Sequence, residues 1–234
     1  MISKRTELIL FDIDGTLLQQ RGVVQYGIGQ ALQEVFGKTG PIESYTMSGK
    51  TDPQIMRELM SLAGISNDEI EAKIISAQQA YIRALSAAIH KFNVQASAGV
   101  IELLEVLQKK EKLTLGLLTG NTIGVVKPKL DAARIPEEMF SLGAYGSDNA
   151  DRNELPKIAI ERAEKLLNKK ISPTSVLIIG DTPRDIACAR NGGTRVISVA
   201  TGQYSIEELE KHHPDHVFED LSDIHKVLIA IGLS

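Results

Sequence analysis

Three stretches of the sequence run from apolar residues straight into residues able to do chemistry. They are "FDIDGT" (11–16), "LLTGN" (117–121) and "IIGDTPRD" (178–185). Asp12 and Asp181 each end an apolar run, and two carboxylates brought into one crevice repel. A divalent cation relieves that repulsion, and a hard, oxygen-rich set favours Mg²⁺. Asp14 follows Asp12 by two residues, so a turn at Gly15 returns it to the same crevice as a general acid and base. Asp12 can then serve as a carboxylate nucleophile. Thr119, Asn121 and a cation would contact phosphoryl oxygens, whose charge must be stabilised in the transition state.

Such residues must be held by rigid elements. Strand-length apolar runs occur at "ELILF" (7–11), "LTLGLL" (113–118), "SVLII" (175–179) and "RVISV" (195–199), with weaker ones at "FSLGAYG" (140–146) and "HVFE" (216–219). Their near-continuous apolarity predicts strands buried on both faces. Helical patterns separate them at 99–110, 155–167 and 221–231. This alternation predicts an α/β fold, a doubly wound parallel sheet of Rossmann-like form with helices on both faces. Chemistry in such folds sits at the C-terminal strand ends, where all three stretches fall.

The alternation fails between about residues 18 and 95, where no strand pattern appears and about three helical patterns do. Asp52-Pro53 reads as the N-cap and first turn of one helix, ended by Gly64, and Asn67 as the cap of the long run that follows. An inserted α-helical cap domain is therefore expected at 18–95, with the α/β core formed by 1–17 and 96–234.

The chain has 234 residues, 43% of them hydrophobic and 24% charged, the mix of a soluble globular protein. Its net charge of -4 gives no pull toward nucleic acid or anionic membrane. The N-terminal apolar run is cut off at Asp12, which does not read as a signal peptide. No run is long enough for a membrane helix. The single cysteine, Cys188, cannot form an internal disulfide and reads as a small buried residue. A cytoplasmic protein is expected.

The motifs "FDIDGTLL", "LLTGN" and "GDTPRD" resemble those of the haloacid dehalogenase superfamily, in the branch of phosphoglycolate phosphatase and β-phosphoglucomutase. The resemblance covers roughly residues 7–20 and 96–231. It implies that Asp12 forms an aspartyl-phosphate and that Asp14 protonates the leaving group, then activates water. It places Thr119, Gly120 and Asn121 in a phosphate-binding motif. It implies that Asp12, the backbone carbonyl of Asp14, and Asp181 ligate Mg²⁺, with Asp185 in support. The helical insertion matches the family's cap in its usual place.

Relatives supply a lysine in a Lys-Pro dipeptide before a helix. This chain departs from that pattern: its Lys127-Pro128 lies in an earlier helix region. Two catalytic cations are candidates in "DRNELPK" (151–157). Arg152 is favoured, from its loop ahead of the expected cap Asn153. Lys157 is the alternative, although helical spacing places it opposite the apolar face with Glu161 and Glu164. In "SGKTD" (48–52) Lys50 either meets an anionic group of the substrate or is an exposed lysine before a helix cap; the second is favoured. That stretch is no P-loop, since Ser44 stands where the motif needs glycine. "HHPDH" (212–216) reads as a solvated loop.

An acid at position 14 fits phosphate esters, where an alkoxide leaves. The expected function is a Mg²⁺-dependent phosphatase acting on a small phosphorylated metabolite. The alternative is a phosphosugar mutase resembling β-phosphoglucomutase. A metal-binding regulatory domain without turnover is the remaining class. Oligomeric state cannot be read from the sequence.

Overall fold

The structure, a computed structural model, describes residues 6–233. Residues 1–5 and 234, at the ends of the expected α/β core, lie outside the described residues. The first apolar run forms β1 (Leu8–Phe11), all four residues buried. The chain then makes a short strand β2 (Leu18–Gln20), runs through helices α1 (Val23–Phe36), α2 (Asp52–Leu62) and α3 (Asn67–Ala88), and returns along β3 (Val94–Ala96). β2 and β3 pair antiparallel, Leu18 with Ala96. The sequence reading missed both strands, because three residues are too few to show a two-residue period.

From there helices and strands alternate: α4 (Val100–Gln108), β4 (Thr114–Thr119), α5 (Ile123–Ala132), β5 (Leu142–Tyr145), α6 (Leu155–Leu167), β6 (Val176–Gly180), α7 (Pro183–Asn191), β7 (Arg195–Val199), α8 (Ile206–Glu210), β8 (His216–Phe218) and α9 (Ile224–Ile231). The main sheet is six-stranded and parallel, in the order β5-β4-β1-β6-β7-β8. The expected Rossmann-like architecture is what the chain adopts, including the two weaker strands.

Strand residues alternate between two layers. Ile9, Phe11, Leu115, Leu117, Leu177 and Ile179 pack on one face against α4, α5 and α9. Leu8, Leu10, Val176, Ile178 and Val196 pack on the other against α6 and α7. Each such side chain contributes roughly 1.5–3 kcal/mol on burial. Helices α1 to α3 share a separate apolar cluster that includes Leu32, Met56 and Tyr81 and reaches the main body through Val125 of α5.

Two caps differ from expectation. Thr51, not Asp52, is the N-cap of α2 and accepts from the Gln54 N–H. Asp52 is instead buried, its carboxylate accepting from the Thr122 N–H at 2.6 Å. Ser66, not Asn67, caps α3. In both cases a hydroxyl residue one position earlier takes the cap.

Candidate active site

The sheet order places β1 between β4 and β6, so connections leave β1 and β6 in opposite directions. A crevice opens between such strands at their C-terminal ends. The Asp12 amide, immediately after β1, still donates to the Ile179 carbonyl of β6. Asp12 and Asp181 thus emerge side by side, both buried. Asp12, Asp181 and Asp185 each place a carboxylate oxygen within 4.8 Å of the others.

Gly15 makes this proximity possible. Its φ of +84° turns the chain after Asp14, and a Cβ there would lie 2.3 Å from Asp181 Oδ2. Only glycine fits both the angle and the space. Thr16 closes the turn by donating to Asp181 Oδ1 at 3.0 Å.

Burial pushes the Asp12 carboxyl up to about 6, with Arg152 opposing and Asp185 and Asp14 adding to the rise. Asp181 is raised well above its ordinary value, first by burial and then by Asp185 and Asp12. Three buried carboxylates facing one another are an unbalanced charge, and a bound cation is the usual resolution. The donor set, all carboxylate oxygen, fits a hard divalent ion. Asp185 is the most committed of the three. Its Oδ2 accepts from the Thr182 N–H and hydroxyl in the capping box of α7, and its Oδ1 accepts from Arg152.

The cation among these acids is Arg152. Its Nη2 lies 3.2 Å from Asp12 Oδ1 and 2.5 Å from Asp185 Oδ1. Burial alone lowers its pKa, but Asp185 and Asp12 outweigh that and hold it above its ordinary value. Arg152 opens a 3₁₀ turn (Arg152–Glu154) capped by Asp151, so Asn153 sits inside the turn and is not the cap expected of it. Lys157 lies on the exposed face of α6, outside the residues lining the crevice. Of the two candidate cations, the structure brings Arg152 to the crevice and leaves Lys157 outside it. The helical spacing of α6 turns it to solvent.

Thr119 ends β4 and is fully buried. Its oxygen accepts from the Asn121 side chain at 2.7 Å, leaving its own hydrogen to donate. Asn121 also donates to Asp14 Oδ2 at 2.7 Å. Gly120 has backbone on both sides. A Cβ there would lie 2.2 Å from the Lys50 carbonyl oxygen, and its own carbonyl accepts from the Asp52 amide.

The carboxylates, Thr119, Asn121 and Arg152 line one cavity of about 640 Å³, which also takes in Tyr45 and Lys50 from the segment before α2. Lys50 is not the exposed lysine favoured from sequence. Its side chain is only 14% exposed, and its Nζ donates to Tyr45 Oη and Glu58 Oε2 at 2.6 and 2.7 Å. Cys188 is buried as expected, burial pushing its thiol up to about 12. Among the described residues no helix is long and apolar enough to cross a membrane.

One residue of the site went unrecognised in the sequence. Lys129 of α5 is completely buried, with Nζ 2.6 Å from Asp14 Oδ2 and bonded to Asn121 Oδ1. The signal was available. Val125, Val126 and Leu130 mark the inward face of α5, and Lys129 has the phase of that face.

A family model described as haloacid dehalogenase-like hydrolase matches residues 9–199. The chain belongs to that family, and is an enzyme of the hydrolase class. It is 24% identical over 238 residues to pyrophosphatase PpaX of Bacillus velezensis, covering 96% of this chain and 97% of that protein. It is 30% identical over 134 residues to phosphoglycolate phosphatase of Escherichia coli, covering 57% of this chain and 50% of the relative. Among solved structures, a hydrolase from Pseudomonas syringae superposes with a TM-score of 0.71 at 23% identity, covering 96% of this chain and 98% of that one. A CbbY mutant from Rhodobacter sphaeroides in complex with xylulose-(1,5)bisphosphate gives 0.63 at 19% identity, covering 93% and 96%. Both structures share the fold.

Proposed function

We propose that the chain is a Mg²⁺-dependent phosphatase that hydrolyses a small phosphomonoester through an aspartyl-phosphate on Asp12. The observation that carries this is the buried group of Asp12, Asp181 and Asp185 beside Arg152, with Thr119 and Asp14 facing the same cavity.

In the first step an Asp12 carboxylate oxygen attacks phosphorus and the ester oxygen leaves, taking a proton from the Asp14 carboxyl. In the second, Asp14 accepts a proton from water as that water attacks phosphorus. The acyl-phosphate bond breaks, phosphate departs and Asp12 is regenerated. Arg152 and the Thr119 hydroxyl offset the charge on the phosphoryl oxygens. Arg152 Nε–H, buried with no hydrogen-bond partner among the described residues, is a donor that such an oxygen would satisfy. Asp12, Asp181 and the Asp14 backbone carbonyl would hold Mg²⁺, with Asp185 fixing Arg152 and the start of α7. When bound, the ion supplies positive charge beside the nucleophile.

The cavity size and the segment 45–50 over it support a small substrate. We treat residues 18–95 as the cap and the remainder as the core, a division supported by the separate apolar cluster of α1 to α3. A reducing compartment such as the cytoplasm suits the lone buried Cys188.

The test is phosphate release, with and without Mg²⁺, from a panel of sugar phosphates, phosphoglycolate, pyrophosphate and nucleotides. Mg²⁺-dependent release from at least one small monoester is expected. Conversion of a sugar phosphate to its isomer without phosphate release would make the protein a mutase instead.

A further inference from the structure

Asp14 is held by one oxygen only. Its Oδ2 accepts from Lys129 Nζ at 2.6 Å and from Asn121 Nδ2 at 2.7 Å. Its Oδ1 is buried with no hydrogen-bond partner among the described residues, and the residue lines the cavity. Lys129 is in turn fixed from a second side by Asn121 Oδ1, and the buried Asp52 carboxylate adds a further negative charge nearby.

A fully buried ammonium is costly unless paired and hydrogen-bonded. A lysine retained on the inward face of α5, where Val125, Val126 and Leu130 are apolar, therefore has partners that define its place. Those partners are the Asp14 carboxylate and the amide that bridges Asp14 to Thr119. A carboxylate tethered through one oxygen keeps a fixed rotamer, and its other oxygen is the one available to exchange a proton.

We propose that Lys129 is the positioning residue for Asp14: it anchors Oδ2 and leaves Oδ1 as the oxygen that gives and takes the proton. It touches neither substrate nor the reacting atoms. The inference rests on the phosphatase reading above, and it adds a requirement that reading lacks. The acid and base depends on a lysine delivered by α5, directly after the Lys127-Pro128 dipeptide.

The test separates the two chemical steps by leaving group. An aryl phosphate such as 4-nitrophenyl phosphate expels a stable phenolate and needs little help from an acid. An alkyl phosphate needs the acid in the first step, and both need the base in the second. In Lys129→Met, with Mg²⁺ present, 4-nitrophenyl phosphate should give a stoichiometric burst of nitrophenolate followed by turnover about 10²-fold slower than wild type, as loss of general acid–base catalysis requires. With an alkyl phosphate both burst and turnover should be lost. A purely structural defect would reduce burst and turnover together, and that result, or wild-type turnover of both esters, overturns the proposal.

If Lys129→Met does not fold, Asp14→Asn with Lys129→Met removes both charges and is compared with Asp14→Asn alone. Equal residual rates are expected, because the lysine acts only through Asp14; a further tenfold loss overturns it. A wild-type enzyme that releases no phosphate from any ester would refute the phosphatase reading, a different outcome from any of these.

Discussion

Arg152 Nη2 bridges two buried carboxylates, 3.2 Å from Asp12 Oδ1 and 2.5 Å from Asp185 Oδ1. One guanidinium therefore holds the proposed nucleophile and the first turn of α7 in a fixed relation. Removing it leaves the nucleophile among like charges without the guanidinium that pairs with it. Arg152→Ala is expected to lower kcat by about 10²–10³-fold, the usual cost of a lost electrostatic contact to a reacting group. Lys157→Ala should leave kcat and KM within about twofold, as for an exposed residue with no special role. Arg152→Lys should fall between wild type and Arg152→Ala, since an ammonium keeps the charge but lacks the planar fork that offers Nε–H beside Nη2. Steady-state kinetics on the three variants decides the matter.

The same acids set how stability depends on pH. Burial pushes the Asp12 and Asp52 carboxyls up to about 6, from 3.8 in the unfolded chain. Between those values the folded protein binds more protons than the unfolded one, so its stability falls as pH rises. Thermal melting of the metal-free protein should show Tm declining from about pH 4 to about pH 6. Mg²⁺ added at pH 7 should raise Tm, because it binds the folded carboxylates and not the unfolded chain. Asp52→Asn should flatten part of the slope without removing the Mg²⁺ effect. A Tm that climbs through this window would mean the acids are already compensated by the protein alone.

Gly15 predicts a local lesion. Alanine there meets both a φ of +84° and Asp181 Oδ2 at 2.3 Å. Strain of about 1–3 kcal/mol is expected, and Asp181 must move to relieve it. Gly15→Ala should lower Tm modestly and weaken Mg²⁺ binding strongly, as read by calorimetric titration. Unchanged Mg²⁺ affinity would separate Gly15 from the proposed metal site.

Much of the molecule was legible in the sequence where one period or one residue type dominates. The four strong apolar runs are strands because runs of four to six residues rich in Leu, Ile and Val, bounded by turn residues, suit a sheet covered on both faces. The acids at their ends are neighbours because the parallel order makes them so. Caps and short strands were harder. Thr51 and Ser66 compete with the residues after them for the same cap, and β2 and β3 are each three residues long. Lys50 and Lys129 were misjudged or passed over for one reason: their burial depends on side-chain contacts that the folded chain makes and no periodic pattern records. Glu58 and Tyr45 cover the first, and Asp14 and Asn121 the second. Helical phase places Lys129 on the inner face of α5, but only the fold shows that Asp14 waits there.

The covalent intermediate is the central claim. Rapid-quench mass spectrometry of the Asp12-containing peptide, taken while the enzyme turns over an aryl phosphate with Mg²⁺, tests it directly. The mechanism predicts a phosphoryl adduct on Asp12 that hydroxylamine removes, and Asp12→Asn should show neither adduct nor turnover. Phosphate release with no modified Asp12, or turnover surviving in Asp12→Asn, would contradict it.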